Sequence, residues 1–341
     1  MRPTPSQGAS FGQRKRLRQG ALRVLWLSVV CVFVVCTQAN AQFINPRYGR
    51  VLQEWEKYYQ AALAAYHQDN FAEAEQQFFK ARLELKKSGP DDPRLATVLN
   101  DLAKVYHAEG KYADAAQLYR QSLAIDEKAL GKDHRDIAGD LNNLAMAYHD
   151  LGKDAQALPL YHRTLQIVEK SFWPGHEYVT TTVKHLAQTY DALGRFAEAV
   201  PYWTRLLAIQ EKDLGPEHPE VGATLRRLAE IRRDKGNYSE AEGFYQRILA
   251  IDEKLLGNEN SELAEDLDTL AEVYIAQGKY AEAQPLYERS LVIVEKAFGP
   301  EHRTVVRGLK TYAVLLRKME RDSEAAEMEA RADAIAAKRG P

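Results

Sequence analysis

The stretch Leu99-Asn100-Asp101-Leu102-Ala103-Lys104-Val105-Tyr106-His107-Ala108-Glu109-Gly110-Lys111-Tyr112-Ala113-Asp114-Ala115-Ala116-Gln117-Leu118-Tyr119 decides the fold, because its landmarks return every 42 residues. Gly110 recurs as Gly152, Gly194, Gly236 and Gly278. Leu102 recurs as Leu144, Leu186, Leu228 and Leu270, each followed by alanine, and Tyr119 recurs as Tyr161, Trp203, Tyr245 and Tyr287. One structural unit has been copied along the chain. Each copy buries its apolar surface against its neighbours, so the array lengthens without becoming globular. The two globular domains that 341 residues at 45% hydrophobic content would otherwise suggest are therefore not expected.

Within the unit, Leu99, Leu102, Ala103 and Tyr106 follow the i, i+3, i+4, i+7 spacing of one helix face. Gly110 then ends the helix by taking a left-handed backbone conformation that costs other residues roughly 1 kcal/mol or more. Tyr112, Ala115, Tyr119 and Leu123 restart the spacing on a second helix. Ala103 and Ala115 are small enough for two antiparallel helices to approach closely, with the tyrosines filling the space beside them. Two further columns, Glu127, Glu169, Glu211, Glu253, Glu295 and Lys128, Lys170, Lys212, Lys254, Lys296, read as solvated surface. Their lysines suit the negative helix end.

The period divides the chain. Full repeats run over 92–131, 134–173, 176–215, 218–257 and 260–299, a degenerate one over 55–88 and a capping one over 302–339. The degenerate hairpin carries Phe71, Ala74 and Phe78, and the capping one lacks the turn glycine, since the 42-residue step from Gly278 lands on Glu320. Residues 42–54 form an N-terminal segment. Ahead of it, Arg14, Lys15, Arg16, Arg18 and Arg23 precede the apolar run from Val24 to Cys36 and the triplet Ala39, Asn40, Ala41.

That order reads as a Sec-type signal peptide over 1–41, cleaved after Ala41. The competing reading is an uncleaved anchor, but the run reaches only about 20 Å as a helix against a ~30 Å hydrocarbon layer. Val35 before Cys36 does not suit lipid attachment, and no twin-arginine pattern is present. Both cysteines, Cys31 and Cys36, lie in this segment, so a cleaved chain has no disulfide, thiolate metal site or cysteine nucleophile. Cleavage removes six of the 46 basic and none of the 48 acidic residues, leaving a net charge of −8 that disfavours nucleic acid as a partner.

The pattern Leu99, Leu102, Ala103, Tyr106, Gly110, Tyr112, Ala115, Tyr119 resembles the signature of the tetratricopeptide repeats. The usual period of that family is about 34; the longer one here, with loops such as Leu214-Gly215-Pro216-Glu217-His218-Pro219, is similar to the kinesin light chain type. The resemblance covers residues 51–339. It implies an all-α fold, a right-handed α-solenoid of antiparallel helical hairpins, whose first helices line a concave groove that holds a peptide or protein segment. On that implication the candidate groove residues are Asn100, Lys104 and His107, then Asn142, Met146 and His149, then Lys184 and Gln188, then Arg226, Glu230 and Arg233, then Asp268 and Glu272, and finally Lys310. The peptide-contacting asparagines of the family map onto Asn100 and Asn142, whereas the same column continues as Lys184, Arg226 and Asp268. Lys184, Arg226 and Arg233 are expected to select acidic groups, although solvated helix faces are charged in any case. Asp154 in place of an aromatic and Arg232 in place of a tyrosine are expected to loosen the packing of their units.

No phosphate-cradling loop, nucleophile elbow, HExxH helix or dinucleotide fingerprint occurs, and no catalytic residue, cofactor or metal is expected. The loop column His134, His176, His218, His302, with Asn260 in its gap, is read as satisfying backbone groups at helix starts. Helices ~10 Å apart are too distant for ligands to converge on one metal. Trp173 stands where the other loops have glycine, either as a partner anchor or, the reading preferred here, packed on the next helix. The expectation is an exported, non-catalytic interaction scaffold, periplasmic or secreted, whose partner is a protein or peptide, with no stable membrane insertion after cleavage. The alternatives are a self-associating assembly unit of the cell envelope and a regulatory subunit of an envelope enzyme.

Overall fold

The computed structural model describes residues 46–337, with side chains from Glu54 onward. The signal peptide expected over 1–41 and the segment 42–45 both lie outside the described residues. Helices α1 Pro46–Tyr66, α2 Phe71–Lys86, α3 Pro93–Ala108, α4 Tyr112–Leu130, α5 Ile137–Asp150, α6 Asp154–Ser171 and α7 Glu177–Ala192 come first. They are followed by α8 Phe196–Leu214, α9 Pro219–Asp234, α10 Tyr238–Leu256, α11 Leu263–Ala276, α12 Tyr280–Phe298, α13 Arg303–Lys318 and α14 Asp322–Ala337. Among the described residues there is no strand, and no helix is long and apolar enough to cross a membrane.

The chain divides into two compact units, one ending at Ala129 and one beginning at Leu130. The first holds the hairpins α1/α2 and α3/α4; the second holds α5/α6, α7/α8, α9/α10, α11/α12 and α13/α14. Each hairpin turns at the repeating glycine: Gly110, Gly152, Gly194, Gly236 and Gly278 all have φ between +67° and +76°. The amide of the following residue closes the turn on a carbonyl five residues back, as Lys279 N donates to Tyr274 O at 2.9 Å. In the last hairpin Glu320 takes the same conformation, φ +59°, and Arg321 N donates to Leu316 O at 2.9 Å, so the turn is kept without its glycine.

The core follows the columns. Ala103, Ala145, Ala187, Ala229 and Ala271 and their partners Ala115, Ala157, Ala199, Ala241 and Ala283 are buried without residual exposure, as close helix approach requires. Tyr119, Tyr161, Trp203, Tyr245 and Tyr287 are buried beside them. The histidine column caps helices: the Nδ1 atoms of His176, His218 and His302 accept from the amides of Tyr178, Glu220 and Thr304 at 3.2–3.3 Å, and Asn260 Oδ1 accepts from Glu262 N at 2.9 Å.

Two expectations require correction. The glutamate column is not simply solvated: Glu169, Glu211 and Glu253 accept from Arg205, Arg247 and Arg289 of the next hairpin, and Glu295 accepts from Arg331 at 2.8 Å. Lys128, Lys254 and Lys296 likewise pair with Asp91, Glu217 and Glu259 in the loop that opens their own hairpin. Lys212 has Gly175 at the matching place and makes no such pair. Trp173 does not pack on the next helix; it is 67% exposed and meets only the edge of the His176 ring, at 4.6 Å, because the turn through Pro174 and Gly175 projects it outward.

The irregular hairpins hold by substitution of one contact for another. His107 packs its ring on Tyr112 at 5.0 Å, and where Asp154 replaces that aromatic, His149 Nδ1 meets Asp154 Oδ1 at 2.5 Å. Tyr106, Tyr190 and Tyr274 have their hydroxyls on Glu75, His162 and Gln246 of the preceding hairpin and carry Lys111, Arg195 and Lys279 over their rings. Where Arg232 replaces the tyrosine, the cation is replaced too, by Asn237, and Arg232 pairs with Glu240 at 2.9 Å instead. Among the described residues that arginine makes no tie to the preceding hairpin.

Candidate functional site

The first helix of each hairpin presents a strip of side chains that its apolar face leaves outside the core. In the first unit α3 carries Asn100, Lys104 and His107; Lys104 Nζ pairs with Asp101 at 2.8 Å. In the second unit the strip is carried by α5, α7, α9, α11 and α13, and consecutive first helices are tied side by side. His185 Nδ1 on α7 donates to Asn142 Oδ1 on α5 at 2.9 Å. Arg227 Nε on α9 donates to Asp191 Oδ2 on α7 at 2.6 Å, and Arg226 Nη1 donates to Asp266 Oδ1 on α11 at 2.5 Å. These bonds tie α5, α7, α9 and α11 of the second unit to one another, with Asn142 and Arg226 the candidate residues that take part.

Many of the named residues are already engaged. Asn142 holds His185, whose ring lies 5.1 Å from Tyr161, and burial pushes the imidazole down to about 4, so it is neutral. His149 is committed to Asp154, Glu230 accepts from Arg227 at 2.9 Å, and Arg233 donates to Asp234 at 3.2 Å. Arg226 is held twice, by Asp266 and by Asp252 Oδ2 at 3.1 Å. Lys310 pairs with Asp333 at 3.3 Å, and Asp268 is half-buried, a desolvation that raises its carboxyl above the ordinary range. Lys184, Gln188 and Glu272 make no intramolecular hydrogen bond or ion pair among the described residues; Lys184 and Glu272 are exposed and Gln188 half-buried. Met146 adds a half-buried apolar side chain one hairpin before Gln188.

The columns one position beyond the candidates were missed. Asp101, Asn143, His185, Arg227 and Thr269 form a column at the same step, and it is this column that carries the ties through His185 and Arg227. Its signal in the sequence was the polar character retained at every copy. On the opposite side, Arg163, Arg205, Arg247, Arg289 and Arg331 form an arginine column as regular as the glycines. Among the described residues no group of three or more His, Cys, Asp or Glu is arranged to hold a metal ion.

The model of one family, described as the tetratricopeptide repeat, matches residues 56–128, 136–203, 180–254 and 263–338. No curated protein matches the chain. Among solved structures, a putative kinesin light chain with nearly identical TPR-like repeats from Podosopora anserina is 28% identical, covering 61% of this chain and 98% of its own, with a TM-score of 0.50. BtubC from P. vanneervenii is 21% identical over 75% of this chain and 94% of its own, with a TM-score of 0.49. A signal transduction ATPase with a tetratricopeptide repeat sensor from Pyrococcus horikoshii is 13% identical over 81% of this chain and 41% of its own, with a TM-score of 0.55.

Proposed function

From the premise that the chain belongs to the tetratricopeptide repeat family, with the longer repeat of the kinesin light chain type, we propose that it is a non-catalytic scaffold that holds a peptide or protein segment against its first helices. One observation carries this reading. In the second unit α5, α7, α9 and α11 are tied together by cross-hairpin bonds, yet among the described residues Lys184, Gln188 and Glu272 make no hydrogen bond or ion pair of their own. Polar groups held on a rigid surface with their bonding capacity unspent lose little entropy when a ligand arrives. An ammonium on α7 and a carboxylate on α11 suit a segment carrying both signs of charge.

Arg226 drops out of the selecting set, because its guanidinium is spent on Asp252 and Asp266, and the acidic group of a partner falls to Lys184. The leader over 1–41 supports export to the periplasm or beyond, and Edman sequencing of protein recovered outside the cytoplasm would begin at Gln42 if that is right. The binding proposal is tested by affinity capture from an envelope fraction with the chain from residue 42 and with a Lys184→Glu, Glu272→Lys double variant, followed by mass spectrometry. A protein retained by the parent and lost by the variant supports the groove. Identical retained sets would overturn it. Light scattering over a concentration series separates the assembly-unit alternative, which alone requires growth with concentration.

A further inference from the structure

The junction between the hairpins α9/α10 and α11/α12 contains an arrangement that partner binding does not use. Asp252 near the end of α10 and Asp266 in the first turn of α11 are gathered on one guanidinium: Arg226 of α9 donates to Asp266 Oδ1 at 2.5 Å and to Asp252 Oδ2 at 3.1 Å. Asp266 is only 5% exposed. The three line an open cleft of about 400 Å³ with Leu255 and Leu256 of α10 and with Glu262 and Glu265 at the start of α11. Two carboxylates on one guanidinium carry one negative charge too many, and a proton on one of them relieves it. Burial and the neighbouring Asp266 accordingly push Asp252 up to about 6.

The sibling junction shows what the position needs when no titration is involved. Forty-two residues earlier the same two places are Gln210 on α8 and Thr224 on α9, where Thr224 Oγ1 donates to Gln210 Oε1 at 2.6 Å. One junction later they are Val294 and Gly308. A neutral hydrogen bond or an apolar contact therefore suffices to join hairpins, and the acid pair adds a dependence on protons that packing does not require.

We propose that the Asp252, Asp266 and Arg226 contact is a pH-operated latch between these two hairpins, closed while Asp252 keeps a proton and loosened when that proton is lost. In the closed state one carboxylate and one guanidinium balance. Loss of the proton leaves two carboxylates on a single cation, with Glu262 and Glu265 at the start of α11 adding charge of the same sign. Because a repeat contacts only its neighbours, a change at one junction reorients everything on its far side without unfolding either hairpin. The latch would couple the acidity of the surroundings to the spacing of the strips on α9 and α11, whatever the ligand.

The test is amide hydrogen exchange on the full chain at about pH 5 and pH 7.5, corrected for intrinsic rates, with roughly tenfold greater opening of α10 and α11 expected at the higher pH. The Asp252→Gln, Asp266→Thr variant copies the Gln210 and Thr224 pair and is expected to lose the response. Equal opening at both pH values, or a response that persists in the variant or spreads evenly over all hairpins, would overturn the latch. If the double variant does not fold, the carboxyl carbon shift of Asp252 in the unsubstituted chain decides: a midpoint near 6 supports the proposal, and one in the ordinary carboxylate range refutes it.

Discussion

Replacing Glu320 by glycine should strengthen the end of the array, and the size of the effect follows from one dihedral angle. Glu320 sits at φ +59°, where the five preceding hairpins place glycine at +67° to +76°. The turn is otherwise the same: Glu320 N donates to Arg317 O at 3.1 Å, as Gly278 N does to Ile275 O at 3.0 Å. A left-handed conformation costs an L-residue roughly 1–2 kcal/mol. Glycine removes that cost but makes the unfolded chain more disordered, by about 0.5–1 kcal/mol. The net gain is about 0.5–1 kcal/mol. Because terminal repeats open independently, the gain should be read locally, as roughly two- to fivefold slower amide exchange in α13 and α14. The converse, Gly278→Glu, places a Cβ that meets nothing within 4 Å, so its cost is conformational alone and should speed exchange in α11 and α12 by a similar factor. Unchanged or faster exchange in Glu320→Gly, or a harmless Gly278→Glu, would show that the turn conformation is not what limits these hairpins.

Three further outcomes are expected. Tyr161 is 1% exposed and carries the His185 ring, so Tyr161→Ala should cost about 3–5 kcal/mol locally, and a shift in denaturation midpoint within error would remove it from the core. Glu211→Arg should break the tie to Arg247 and be rescued by Arg247→Glu, with a coupling of about 0.5 kcal/mol in a double-mutant cycle; additive effects would make that ladder decorative. His185 is held near 4, below its unfolded value, so the stability of α7 should be complete above about pH 6.5 and fall by up to about 3 kcal/mol as pH drops toward 4. His185→Asn, which copies Asn143, should flatten that acid limb in exchange measurements, and a limb that survives the substitution assigns it to another group.

The period alone was enough to read the hairpins, because glycine at a fixed step, alanine pairs and buried aromatics are each dictated by the geometry of a single copy. The absent glycine at position 320 was legible for the same reason, and the structure adds that the chain accepts the strain rather than altering the turn. What escaped reading lies between copies. The glutamate and arginine columns each repeat at 42, but their partners are 36 residues apart, an offset set by how second helices lie beside one another and not by the repeat itself. Asp154 and Arg232 escaped for a related reason: each departure is answered by another side chain, His149 in one case and Glu240 with Asn237 in the other, so single positions mislead where pairs do not.

The same distinction governs the candidate face. Charge and column position nominated Lys184 and Arg226 equally, and both are cations on first helices of the second unit. Only the neighbouring hairpin separates them: Asp252 and Asp266 stand within reach of Arg226, while among the described residues no carboxylate is paired with Lys184. A cation spent on two carboxylates cannot be diverted to a ligand without exposing those carboxylates to one another, so a partner drawing on Arg226 must also release the junction. Ligand selection and hairpin spacing would then share one guanidinium. A variant such as Arg226→Glu, which puts a third carboxylate into that contact, should disturb the α9 to α11 junction before it reports on binding, whereas Lys184→Glu should change affinity with the exchange pattern of α7 intact.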